Sequence, residues 1–229
     1  MNRIYEYLLH ETEITIDDTK SDEIIIVKTL SEKFTITKFE NGFTLIKVNT
    51  SSIPLMNEFI NTYRSDLFSE NAMSFISKHF RLNSTTNPYE YIYGITDEKE
   101  LSQNDILNST VKINLATLKA MNPNRFNKYP FKNPNEKLIY FGTLINREIV
   151  SLTSGYIGDF KAIELTSETL LEHRNNGYAK SNTLAITKYL LEKGYEVFTT
   201  NGVFNMASIH TIESLGFMRY GYRLAFFAI

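Results

Sequence analysis

One stretch limits what this chain can fold into: Lys161 to Gly194, KAIELTSETLLEHRNNGYAKSNTLAITKYLLEKG. Ala162 to Leu171 reads as a strand, and His173-Arg174-Asn175-Asn176-Gly177-Tyr178-Ala179 as a short polar elbow. A helix follows, closed by Lys193-Gly194. A strand that feeds an exposed turn and then a helix points several backbone N–H groups at one place, where the helix dipole favours an anion. Gly177 permits close backbone approach there, and Arg174 adds a fixed positive charge.

The elements around this stretch follow from periodicity. Residues 2–11 pattern as a short helix, and Ile24 to Val27 as a buried strand. Phe34 to Phe39, the turn Asn41-Gly42, and Phe43 to Val48 form a strong hairpin signal. Ser51 or Ser52 can cap a helix through Arg64, with Pro54 in its first turn, and Glu70 to Phe80 predicts another helix. The polar run 82–88 marks a boundary, giving an N-terminal α+β domain over 1–86 and a second domain over 87–229. Tyr89 to Thr96 predicts a strand, 101–121 at least one helix, and 122–137 an exposed loop. A second hairpin spans Leu138 to Tyr156. After the elbow and its helix come a strand at Glu196 to Thr200 and a helix from Asn205 or Ala207 to Leu215-Gly216. Met218 to Ile229 closes the chain as one strand or two. Hairpin, strand, elbow, helix, strand, helix, strand describes an α/β layer with a mixed sheet.

Composition excludes several chemistries. There is no Cys, so disulfides and thiolate sites are absent. His10, His79, His173 and His210 have no metal-ligand spacing, and no metal is expected. The net charge of −2 gives no argument for nucleic acid or an anionic membrane. No apolar run has signal-peptide or membrane-spanning character, so a cytoplasmic monomer or homodimer is expected. The basic residues Arg125, Lys128, Lys132 and Lys137 read as a solvated surface, or as a means of steering an anionic ligand. The elbow lacks the Gly-Lys-Ser/Thr of a nucleotide P-loop, and its single Gly excludes a Rossmann fingerprint.

Arg174-Asn175-Asn176-Gly177-Tyr178-Ala179 resembles the Arg/Gln-x-x-Gly-x-Gly/Ala pyrophosphate loop of the GNAT superfamily of acyl-CoA N-acyltransferases. Asn205-Met206-Ala207-Ser208 with Leu215-Gly216-Phe217 resembles that family's Asn-x-x-Ser…Leu-Gly-Phe segment. The resemblance covers 89–229 and is clearest from 138 onward. It implies a GNAT-like, mostly antiparallel mixed sheet flanked by helices, with 1–86 as an α+β extension or a degenerate half of the same fold. It also implies acetyl-CoA as acyl donor and a primary amine of a small molecule or peptide as acceptor. By this resemblance the backbone of Glu168, Thr169 and Leu170 would meet the pantetheine arm. The amides of Asn175, Asn176, Gly177, Tyr178 and Ala179 would hold the pyrophosphate, with Arg174 shaping the loop. Asn205 would bond the pantetheine, with Ser208 nearby; both residues also suit plain helix capping.

Amide formation needs a base for the ammonium, a donor for the oxyanion and an acid for the thiolate. Glu164 and Glu168 share a face at period two and are the candidate bases, Glu164 favoured by resemblance to an acidic position of the family. Either also reads as a solvated edge residue. Where many family members place a Tyr, this chain has Ile212, which reads as core. Tyr220, Tyr222 and Tyr178 are the neighbouring phenols, and Tyr220 is the candidate acid. In a chain with 14 Tyr each also has a structural reading. His173 reads as packing or capping the turn. Loss of the usual Tyr leaves a non-catalytic coenzyme-A-binding or interaction module as the alternative function.

Overall fold

The computed structural model describes residues 3–9, 22–30, 33–82, 89–102, 105–121 and 125–228. In chain order the elements are α1 (Arg3–Leu9), β1 (Ile24–Lys28), β2 (Lys33–Phe39), β3 (Thr44–Val48), α2 (Ile53–Tyr63), α3 (Glu70–His79) and β4 (Phe80–Leu82). They continue with β5 (Tyr89–Ile95), β6 (Thr110–Ile113), α4 (Leu115–Ala120), α5 (Tyr129–Lys132), β7 (Leu138–Ile145), β8 (Glu148–Tyr156) and β9 (Ala162–Thr169). The last are α6 (Tyr178–Glu192), β10 (Glu196–Gly202), α7 (Met206–Glu213) and β11 (Met218–Ala228).

These elements form two compact units that interleave in sequence. The elbow unit comprises Met1–Tyr7, Tyr93–Thr200 and Met206–Met218, and the hairpin unit comprises Leu8–Ile92, Asn201–Asn205 and Arg219–Ile229. Each is α/β with a mixed, mostly antiparallel sheet and packed helices. The boundary read from sequence at 86–87 falls in 83–88, outside the described residues.

In the hairpin unit, β2 and β3 pair antiparallel around Asn41-Gly42, with Gly42 at φ 90. β1 adds parallel to β3, and β11 adds antiparallel to β2 from Gly221–Phe39 to Phe227–Lys33. Alternation in β2 and β11 sends Phe34, Ile36, Leu224 and Phe226 into one core, where Met56, Phe59 and Ile76 arrive from α2 and α3. Ser69 caps α3 by accepting the Ala72 amide. The start of α2 differs from expectation: Ser52 makes no side-chain cap, and Asn49 instead caps a 3₁₀ turn, Thr50–Ser52, that leads into it. β1 is only partly buried, because it lies at the sheet edge.

In the elbow unit, β6, β7, β8 and β9 pair antiparallel in that order, and β10 joins β9 in parallel. Asn146 and Arg147 both have positive φ, 49 and 67, which suits a two-residue hairpin turn. The 101–121 segment holds a strand, β6, as well as the short α4. The 125–137 stretch is not a plain exposed loop. Phe126 and Phe131 are fully buried with Tyr140, Leu118 and Leu170, and they draw this Asn- and Pro-rich segment onto the sheet. At the end of α7, Gly216 has φ 93, and a Cβ there would lie 2.1 Å from the Glu100 carbonyl oxygen. Only glycine closes that turn.

Helix α6 is fixed to the sheet by hydrogen bonds as well as by the buried Leu184, Ile186 and Leu190. Asn182 is fully buried; its Oδ1 accepts from Thr143 at 2.9 Å and from Thr110 at 3.1 Å, and its Nδ2 donates to Ser151 Oγ at 3.1 Å. Ser181 and Thr183 extend the network to Thr110 and Ser167. Such a network permits one register of helix on sheet, and that register sets the position of the elbow.

Candidate functional site

The site begins where β9 and β10 part. Their ladder runs only through Ala162–Glu196, Ile163–Val197 and Glu164–Phe198. On its other edge β9 stays paired with β8 as far as Ser151–Thr169. The β10-facing backbone edge of β9 is therefore unladdered beyond Glu164, and a fork opens toward the elbow.

Alternation sorts the side chains of β9 onto two faces. Ser167 and Thr169 bond to Thr153 and Ser151 at 2.8 Å, and Ser167 reaches Thr183 of α6 at 3.2 Å. Glu164, Thr166 and Glu168 take the opposite face. The first turn of α1 lies on that face too. Ile4 N–H donates to Glu196 Oε2 at 2.9 Å, and the Tyr7 ring sits 5.0 Å from Phe198. Burial holds the Glu196 carboxyl above its ordinary pKa, partly offset by the Ile4 amide.

The candidate bases separate here. Glu168 accepts the Asn127 amide on both oxygens at 2.9 Å and the Lys128 amide at 2.8 Å. It anchors the segment before α5. Glu164 is half-buried at the last ladder pair before the fork, and its Oε1 accepts from Thr200 Oγ1 at 2.7 Å. Sequence reasoning did not pick out Thr200. The signal was available, since Thr200 follows Phe198 at period two on the strand paired with β9.

The elbow has the geometry of an anion site. Leu170 is buried, its N–H donating to Val150 O and its carbonyl accepting from His173 N–H. Its backbone is thus committed. Arg174 is exposed and its Nε donates to the Thr169 carbonyl at 3.3 Å, which ties the loop back to the strand. Asn176 Nδ2 donates to the carbonyls of His173 and Arg174. Asn175 and Gly177 adopt positive φ, 63 and 74. Among the described residues the amides of Gly177, Tyr178, Ala179 and Lys180 make no hydrogen bond, and the first helical bond is Ser181 N–H to Gly177 O. A Cβ on Gly177 would meet nothing within 4 Å, so the space before these amides is open. Exposed amides, open space, the helix dipole and Arg174 together suit a pyrophosphate.

The remaining predicted residues are divided between the units. Ser208 is half-buried in α7, and Ile212 is core, 5% exposed, as expected. Asn205 and Tyr220 belong to the hairpin unit. Asn205 is exposed and donates its amide to Gly202 O at 2.9 Å. Tyr220 is buried in β11, and its carbonyl accepts from Glu40 N–H. Arg125 is not a free steering charge, because it pairs with Glu148 and Glu172. Among the described residues no group of three or more His, Asp or Glu could hold a metal ion, and no helix is long and apolar enough to cross a membrane.

Residues 147–224 match the family described as FR47-like protein. A protein of unknown function from Staphylococcus epidermidis shares the fold, at 15% identity and TM-score 0.51, over 95% of this chain and 99% of that one. A GNAT-family protein from Novosphingobium aromaticivorans aligns at 16% identity and TM-score 0.49, over 62% of this chain and 65% of its own length. A GNAT-family acetyltransferase from Colwellia psychrerythraea aligns at 12% identity and TM-score 0.49, over 83% of this chain and 81% of its own. No curated protein matches in sequence. The matched segment 147–224 contains the fork, the elbow and α7.

Proposed function

We propose that the elbow unit binds acetyl-CoA and transfers its acetyl group to a primary amine of a small molecule or peptide. The observation that carries this reading is the fork between β9 and β10, with four amides at its elbow end unbonded among the described residues and a carboxylate, Glu164, at its root. Gly177, Tyr178, Ala179 and Lys180 present N–H groups for the pyrophosphate of the donor. The unladdered edge of β9 supplies backbone groups for the pantetheine amides, as one strand does for another.

The chemistry assigned to this chain is a proton transfer and a placement. Glu164, held in one orientation by Thr200, takes a proton from the ammonium of the acceptor, directly or through one water. The free amine then forms the C–N bond at the thioester carbonyl; as the C–S bond breaks the sulfur leaves as a thiolate, and the nitrogen gives its second proton to water. Ile212 is apolar and buried, so that helix position offers no proton, and the thiolate takes one from water.

Calorimetry with acetyl-CoA tests binding: a saturable heat is expected, and the absence of both heat and a thermal shift at millimolar ligand would refute the reading. Thiol release across a panel of amines tests turnover. Glu164→Gln is expected to lower kcat by about 10²–10⁴-fold with acetyl-CoA affinity unchanged. Binding without amine-dependent thiol release from any acceptor would instead identify a non-catalytic coenzyme-A-binding module, which the apolar Ile212 favours.

A further inference from the structure

The hairpin unit contains a concavity of its own, about 390 Å³ in volume. Its wall is aromatic, from Phe39, Tyr91 and Tyr222, and its rim is charged, from Lys38, Glu40 and Arg219. The volume lies within the range of small-molecule sites, which combine mostly apolar walls with a few placed polar groups.

The charges at this rim are partly spent. Arg219 Nε donates to Glu40 Oε1 at 2.6 Å, and the Arg219 guanidinium lies 5.3 Å from the centre of the Tyr91 ring. The carboxylate is thereby neutralised, and a ring face that would attract a ligand cation is already covered by a protein cation. Lys38 is exposed, and its ammonium has no hydrogen bond or ion pair among the described residues. Among the described residues the rim therefore carries one uncompensated positive charge.

Tyr222 supplies a second polar feature. Its ring is wedged between Phe68, Tyr89 and Tyr91, with centroids 4.8, 5.5 and 5.6 Å away. The ring cannot swing out without breaking these contacts, yet its hydroxyl bonds to nothing among the described residues. Burial, with the neighbouring Tyr89 and Tyr91, raises its pKa, so the phenol stays protonated and remains a donor.

The geometry points to a binding site for a small aromatic carboxylate, with its ring along the aromatic wall and its carboxylate at Lys38, whose register partner across β2 and β11 is Tyr222. A cationic ligand would meet Lys38 and Arg219, and a neutral one would leave the lysine unmatched. This inference does not depend on the acyl-transfer reading, because every residue involved lies in the hairpin unit.

Ligand-observed NMR titration of the full chain with benzoate, benzyl alcohol and benzylamine tests it. Benzoate is expected to bind with a low-millimolar Kd, and the alcohol and amine at least about tenfold more weakly. Lys38→Gln, at an exposed position and with its fold checked by circular dichroism, is expected to weaken benzoate about tenfold. Tyr222→Phe keeps the ring packing and is expected to weaken benzoate severalfold. No benzoate binding at about 10 mM would overturn the assignment. Benzylamine binding as tightly as benzoate would also overturn it, as would an affinity indifferent to Lys38→Gln.

Discussion

Gly177 concentrates the demands on the elbow in one residue. Its φ of 74 is left-handed, and no neighbouring atom excludes a Cβ. The requirement is therefore conformational and not steric. Gly177→Ala is expected to destabilise the protein by about 1–2 kcal/mol and to weaken acetyl-CoA by reshaping the amide nest. Gly177→Asn, which tolerates this region better, should retain more of both. Urea unfolding and calorimetry on the two variants check this, and an alanine variant equal to the parent would contradict it. This residue was legible in the sequence because turn chemistry is local. The choice between Glu164 and Glu168 was not. Period two puts both on one face, and what separates them is the arrival of Lys128 from 40 residues away. Likewise nothing local in the sequence announces that Thr200 meets Glu164 across a parallel ladder.

Among elements, α6 shows how a helix start can be held to the precision a ligand needs. Beside the apolar Leu184, Ile186 and Leu190, it buries four polar residues, Ser181, Asn182, Thr183 and Thr187. Asn182→Ala would leave Thr143 without its side-chain partner and Ser151 with Thr169 alone, in a buried layer. The expected cost is about 2–4 kcal/mol, read as a lower urea midpoint with an unchanged slope. A change below about 0.5 kcal/mol would show that the network does not fix the helix. The hairpins, β9 and α6 were readable because alternation and turn residues agree along each of them. β6 and the 125–137 segment were not, because their conformation is imposed by the core. Phe126 and Phe131 bury themselves against Tyr140 and override a composition that reads as a loop.

For the whole molecule, the interleaving of the two units matters most. A cut between 86 and 87 would strand β11, since its ladder partner β2 lies on the other side of the cut. Residues 87–229 alone would expose Leu224 and Phe226, which are fully buried in the hairpin unit's core. The fragment is expected to be insoluble or to unfold without cooperativity, while the full chain gives a cooperative transition. A soluble 87–229 fragment with a sharp thermal transition would contradict this. The sequence could not disclose the arrangement, because a closing strand looks the same whichever earlier strand it joins.

The Arg219–Glu40 pair spans 179 residues of chain. Synthesis at roughly 5–20 residues per second puts about 10–40 s between the emergence of its two ends from the ribosome. That interval far exceeds the time a hairpin needs to form. β2 and β3 can therefore join early, with the Phe34 and Ile36 strand waiting at an open edge for its last neighbour. The hairpin unit is begun first and finished last, so the speed of translation over the second half of the message sets how long that edge is open to chaperones or to another nascent copy.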